Sequence, residues 1–129
     1  MKKIVVIFGV AFGLNLIWEN LHSVLYSHYQ GGAITELILM RASLFDAVVI
    51  TIITLPFLLW RPFKNNHWLM VMIGLVVAVI NEWYGLSTVR WAYNDLMPII
   101  PIIAVGLTPT LQLGLLSYWS YRLTKWLTT

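Results

Sequence analysis

Four stretches of about 20 mostly apolar residues, each long enough to cross a bilayer as a helix, take up most of this chain. They run from about Ile4 to Tyr26, Leu37 to Trp60, Trp68 to Val89 and Met97 to Ser120. Short polar connections separate them: a Gly31-Gly32 turn, the link Arg61-Pro62-Phe63-Lys64-Asn65-Asn66-His67, and a segment around Trp91 to Asp95. Short connections favour antiparallel neighbours. The expected fold is therefore all-α, an integral membrane four-helix up-down bundle forming a single transmembrane domain over residues 1–129.

Composition agrees. The chain is 60% hydrophobic and 10% charged, whereas soluble domains run nearer about 45–50% and about 25%. A soluble enzyme, a disordered tail and a nucleic-acid-binding module are excluded on that ground. The absence of cysteine removes disulfides, thiolate metal sites and a cysteine nucleophile.

The cations set an orientation. An N-in, C-in arrangement puts Lys2, Lys3, Arg61, Lys64, Arg122 and Lys125 on the cytoplasmic side and leaves Arg41 and Arg90 outside. Lys2-Lys3 and the apolar run after them also suit a signal peptide. The run is long, however, and no small-x-small site precedes the polar turn, so it is expected to stay as the first span. A prokaryotic plasma (inner) membrane is the expected location.

Three carboxylates interrupt the spans: Glu19, Asp46 and Glu82. Each costs about 2.5–3.5 kcal/mol near a helix centre, so each needs a partner, a proton or a wet cavity. With alternating helix directions and 1.5 Å of rise per residue, all three fall in the outer half, within roughly one turn of each other in depth. Asn15, Glu19, His22 and Tyr26 share one face of the first helix. Ser43 and Asp46 share a face of the second, with Arg41 one turn further out. Helix four is expected to carry a polar kink at Thr108-Pro109-Thr110 and Gln112, with Pro109 freeing a carbonyl near Val105.

Several chemistries fit such a constellation. The plainest is interhelical glue, in which Glu19 or Glu82 pairs with Arg41, Arg90 or His22. Glu19-x-x-His22 has the spacing of carboxylate metal bundles but occurs once, which leaves only a mononuclear set completed by Glu82 or Asp46. No metal or other cofactor is therefore expected. A protonated acid beside aromatic faces instead suits acid/base work on an alkene, with Glu82 as acid, Glu19 or Asp46 as base and His22 as relay. Asn15, Trp18, Tyr26, Arg41, Trp83, Trp91, Tyr93 and Gln112 are the expected binding residues around those acids. Trp91 and Tyr93 also read as interfacial anchors, since aromatic belts lie at that level.

The stretch Asn81-Glu82-Trp83-Tyr84-Gly85, then Arg90-Trp91-Ala92-Tyr93, then Met97-Pro98 resembles small integral-membrane carotenoid cyclases and hydratases. The resemblance covers under a sixth of the chain. It implies a helical enzyme that protonates a polyene and guides the carbocation without redox turnover. Glu82 would match the family's acid, and Trp91 and Tyr93 its aromatic pair. The cyclases' Pro-x-Glu-Glu element has no counterpart, since Ile99, Ile100 and Pro101 follow Pro98. The first half, Trp18-Glu19-x-x-His22-x-x-x-Tyr26, is similar to small bacterial membrane proteins of no assigned activity.

The expected function is thus binding of a hydrophobic or amphipathic small molecule at an outer-half acidic and aromatic site, with isomerisation, hydration or cyclisation of a prenyl lipid as the candidate chemistry. Two other classes stay open: a proton-coupled transporter, and an accessory subunit whose acids are structural. The bilayer and the small molecule are the expected partners, with assembly as a homodimer or within a larger membrane complex undecided.

Overall fold

The structure, a computed structural model, describes residues 2–60, 63 and 65–129. Arg61 and Lys64, which carry part of the charge bias, and Pro62 of the same link lie outside the described residues. The chain is mostly helical, with helices α1 (Lys2–His22), α2 (Glu36–Leu59), α3 (His67–Ser87) and α4 (Leu107–Leu127). Four short strands accompany them: β1 (Tyr26–Tyr29), β2 (Trp91–Tyr93), β3 (Ile99–Ile100) and β4 (Val105–Gly106). Three helices, α1 to α3, are long and apolar enough to cross a membrane.

Local chemistry explains the boundaries. Thr35 caps α2 by accepting from the Ile38 N–H at 3.3 Å, and Glu36 places a negative charge in the first turn, where the helix dipole favours it. Helix α3 closes with a Schellman motif. The Val89 N–H reaches Leu86 at 3.2 Å and the Arg90 N–H reaches Gly85 at 2.8 Å. The left-handed position is filled by Val89 (φ 58°) where glycine is usual.

The fourth span departs from expectation. Its helix starts at Leu107, ten residues after Met97. Pro98 and Pro101 cannot extend a helix across 97–106, and that segment instead folds as the antiparallel β3–β4 ladder. Pro109 consequently lies in the first turn of α4, where its missing N–H has no helical acceptor to lose. It does not kink the helix. Tyr26, expected at the end of the first helix, opens β1 instead. Strand β1 pairs antiparallel with β2, Tyr26 opposite Tyr93 and Tyr29 opposite Trp91, with an irregularity between Tyr26 and His28. The all-α expectation is corrected to that extent.

Helix α3 packs most extensively on α4, and α1 on α2, while the α2–α3 side is much the thinnest. At the closest α3–α4 approach a Cβ on Gly74 would strike the backbone of Gly114. Ala11, Ala47 and Ala78 fill the bundle centre with Leu113 and Leu116, and bulkier Ile7, Phe57, Met70 and Tyr121 pack towards the end remote from the strands. Outward faces carry Ile17, Leu21, Ile52, Val76 and Ile80. Polar side chains face in: Asn15, Asp46, Glu82 and Gln112 are all buried.

Candidate functional site

Beneath the β1–β2 ladder the helices enclose a cavity of about 440 Å³. Glu19, Asp46 and Glu82 all line it, together with His22, Tyr26, Arg41, Trp91 and Gln112. Ile38, Ala42 and Phe45 of α2 and Ala78 and Asn81 of α3 also line it, so the cavity lies along the thin α2–α3 side.

Gln112 organises the floor. Its Nε2 faces Asn15 Oδ1 at 2.9 Å, Glu19 Oε1 at 2.9 Å and Asp46 Oδ2 at 2.8 Å. One amide nitrogen carries two hydrogens, so three acceptors share two protons. Glu19 and Asp46 therefore meet at one donor nitrogen, which brings together two carboxyls that only accept when ionised. Asn15 completes its own bonding by donating to the Ala11 carbonyl at 2.7 Å.

His22 extends the array. Its Nε2 meets Glu19 Oε2 at 3.0 Å, and its Nδ1 meets Thr108 Oγ1 at 3.1 Å. The ring thus joins α1 to the first turn of α4. Trp18 and Tyr26 stand edge-on to the imidazole, with centroids 6.4 and 5.3 Å away.

Glu82 is held separately, by aromatic donors from the strands. The Tyr26 hydroxyl donates to Oε1 at 2.6 Å and the Trp91 indole N–H donates to Oε2. Tyr93 packs on Tyr26, ring centroids 5.3 Å apart, while its hydroxyl accepts the Gly106 N–H at 2.9 Å. Burial, reinforced by the adjacent Glu82 charge, pushes the Tyr26 and Tyr93 phenols above the usual tyrosine value of 10. Two glycines make the cage compact: a Cβ on Gly85 would overlap the Trp91 indole, and one on Gly106 would press on Met97 and Tyr93. Trp91 therefore turns inward, onto Glu82, whereas Tyr93 packs behind Tyr26 and does not line the cavity.

The expected residues do not all converge. Trp83 is half-exposed, donates to the Ile103 carbonyl at 2.8 Å and does not line the cavity. Trp18 packs on the alanine-rich core, its buried N–H without a partner, and Asn15 sits behind Gln112. Neither lines the cavity. Arg41 lines it and makes no hydrogen bond or ion pair among the described residues. The metal set of Glu19, His22 and a further acid does not form. Among the described residues no three His, Asp or Glu side chains are placed to hold an ion.

Sequence reasoning passed over His28, Tyr29 and Arg90 as cavity residues. All three sit in the connections that follow α1 and α3, and only the long-range β1–β2 pairing folds those over the site. The Tyr26-x-His28 alternation was the sole local sign of a strand, too short to be diagnostic. No protein-family model matches the chain, and no curated protein or solved structure does either.

Proposed function

We propose that this is an integral membrane protein of a prokaryotic plasma membrane whose cavity binds a hydrophobic or amphipathic small molecule and carries out acid/base chemistry on it. Its helices would run up and down with both termini in the cytoplasm, and α4 would complete the bundle despite its buried polar face. One observation carries the proposal. A cavity flanked by apolar α2 and α3 side chains has three carboxyl groups in its wall, each held by donors from other elements. Such a site combines apolar walls with a few oriented polar groups, as small-molecule sites do.

Donor geometry divides the roles. The Glu19–Asp46 pair, two carboxyls at one amide nitrogen whose two hydrogens cannot serve them and Asn15 together, has room to hold a proton and is the proton source. Glu82, with both oxygens already receiving donors, is the acceptor and the counter-charge for a cationic intermediate. That reverses the assignment expected from sequence, where Glu82 was the acid. Hydration or isomerisation of a prenyl lipid needs this pairing: the acid delivers a proton to one alkene carbon, and the resulting cation either loses a neighbouring C–H proton to Glu82, giving the isomer, or adds water whose proton passes to Glu82, giving the alcohol. The carotenoid-type resemblance leads to the same substrate class.

Native mass spectrometry of wild type and Glu82→Gln, purified gently with native lipid, tests the proposal. A discrete organic adduct on the wild type, lost or diminished in the variant, is the expected result. Unliganded wild type would overturn it, and a stable partner mass would make the chain a subunit instead. A second reading, proton-coupled transport, draws on the fully buried hydroxyls of Ser117, Ser120 and Thr124, which lack partners and continue down α4 from Gln112. It forecasts proton uptake into proteoliposomes that Glu19→Gln abolishes.

A further inference from the structure

We infer that the molecule taken by this cavity is an amphipathic anion, its phosphate or carboxylate head held between Arg41 and Arg90 and its apolar tail lying along the α2–α3 side. The inference rests on the binding function proposed above and specifies its ligand class. Arg41 comes from α2 and Arg90 from the turn after α3, and both line the same cavity.

Neither guanidinium is ion-paired or hydrogen-bonded through its side chain among the described residues. The one ion pair among the described residues joins Glu19 to His22. Every acid near the two arginines is otherwise engaged. Glu19 and Asp46 receive Gln112, Glu82 receives Tyr26 and Trp91, and Glu36 accepts from Asn20 at 3.0 Å. Asp95 does not line the cavity. The Arg90 guanidinium lies 5.3 Å from the Tyr84 ring centroid, a cation–π contact that orients the group and leaves its donors free. The Schellman turn at Val89 fixes the backbone from which Arg90 departs. Two planar donor forks lining one cavity suit a carboxylate or phosphate, which each can grip in bidentate fashion. Ile38, Ala42 and Phe45 across from Ala78 then offer the tail an apolar path.

The test is a tryptophan-fluorescence titration of the purified protein in neutral detergent, with dodecyl phosphate, dodecanol and dodecyltrimethylammonium as probes. Hydrogen bonds to charged groups contribute about 1.5–3 kcal/mol, so dodecyl phosphate should bind at least about 10-fold tighter than dodecanol. The ammonium probe should bind no better than the alcohol. In Arg41→Gln/Arg90→Gln the phosphate-to-alcohol ratio should fall to near unity, and Arg41→Lys should restore only part of it. Equal binding of all three probes by wild type, or a preference that survives the double variant, overturns the anionic head while leaving the cavity proposal intact. No saturable binding of any probe overturns both. Adding phosphatidylglycerol vesicles identifies the source. Competition assigns the head to a membrane lipid, and persistence of dodecyl phosphate binding assigns it to a free amphiphile.

Discussion

Trp91 donates its indole N–H to the Glu82 carboxylate from nine residues further along the chain, with its ring seated directly on Gly85. The glycine lies three residues beyond the acid on the same helix, so one turn of α3 supplies both the acceptor and the space for the donor.

A methyl group at residue 85 would occupy the indole's place. Gly85→Ala should displace Trp91, shift tryptophan emission and destabilise the protein by more than Trp91→Phe does. Trp91→Phe removes the hydrogen bond and part of the ring without forcing the backbones apart, and should cost about 1–2 kcal/mol by thermal unfolding. Equal costs for the two variants would show that the ring tolerates displacement.

Gln112 is the donor shared by Asn15, Glu19 and Asp46. Gln112→Leu should cost at least about 2 kcal/mol, because buried acceptors lose their hydrogens. Adding Asp46→Leu to that variant should cost less than the two single changes summed, since both act on one network. Simple additivity, measured by a double-mutant cycle of unfolding free energies, would show that the hub is not a cooperative unit.

Val89 occupies a left-handed backbone position that costs an L-residue roughly 1–2 kcal/mol. Glycine would relieve this at the expense of unfolded-state entropy, about 0.4–1 kcal/mol. Val89→Gly should therefore raise the melting temperature modestly, with a net gain of up to about 1 kcal/mol. A lower melting temperature would show that the Val89 side chain makes a compensating contact.

The phenols of Tyr26 and Tyr93 hold their protons more tightly when folded than the usual value of 10. The unfolded chain loses those protons first as pH rises, so their contribution to stability is complete below pH 10 and declines above it. Chemical denaturation followed at alkaline pH should show that decline, shallower in Tyr26→Phe. Tyrosinate absorbance should show both residues ionising late, together with unfolding.

Glycines of different surroundings should behave oppositely. Gly114→Ala would press a methyl on the Val71 carbonyl and separate α3 from α4, whereas Gly13→Ala meets nothing within 4 Å. The first should destabilise. The second should stabilise by about 0.5–1 kcal/mol through helix propensity alone. Comparing the two melting temperatures checks the close α3–α4 approach.

Helices α1 to α3 were legible because their signal is a local sum: apolar runs of spanning length, separated by the Gly31-Gly32 turn and the polar link from Arg61 to His67. That Glu19, Asp46 and Glu82 fall at one level of the bundle was legible for the same reason, since acids stand out against an apolar run and helical rise fixes their position along it. The first ten residues of the presumed fourth span were misread. Met97 to Gly106 is apolar enough for a helix, but hydropathy does not register that Pro98 and Pro101 break it into a ladder. Likewise Trp83, adjacent to Glu82, was expected at the site and points away from it, because neighbours on a helix diverge by about 100°.

The sequence by itself therefore determined the helical class, the membrane-compatible exterior and the presence of an acidic layer, all of which follow from residue type and periodicity. Only the tertiary structure decided who holds whom. Gln112 gathers Asn15, Glu19 and Asp46 through the rotation of α4 against α1 and α2. Tyr26 and Trp91 close on Glu82 because β1 pairs with β2 across more than 60 residues of chain. Hydrogen-bond partners are set by helix rotation and long-range strand register, and neither is a sum over neighbouring residues.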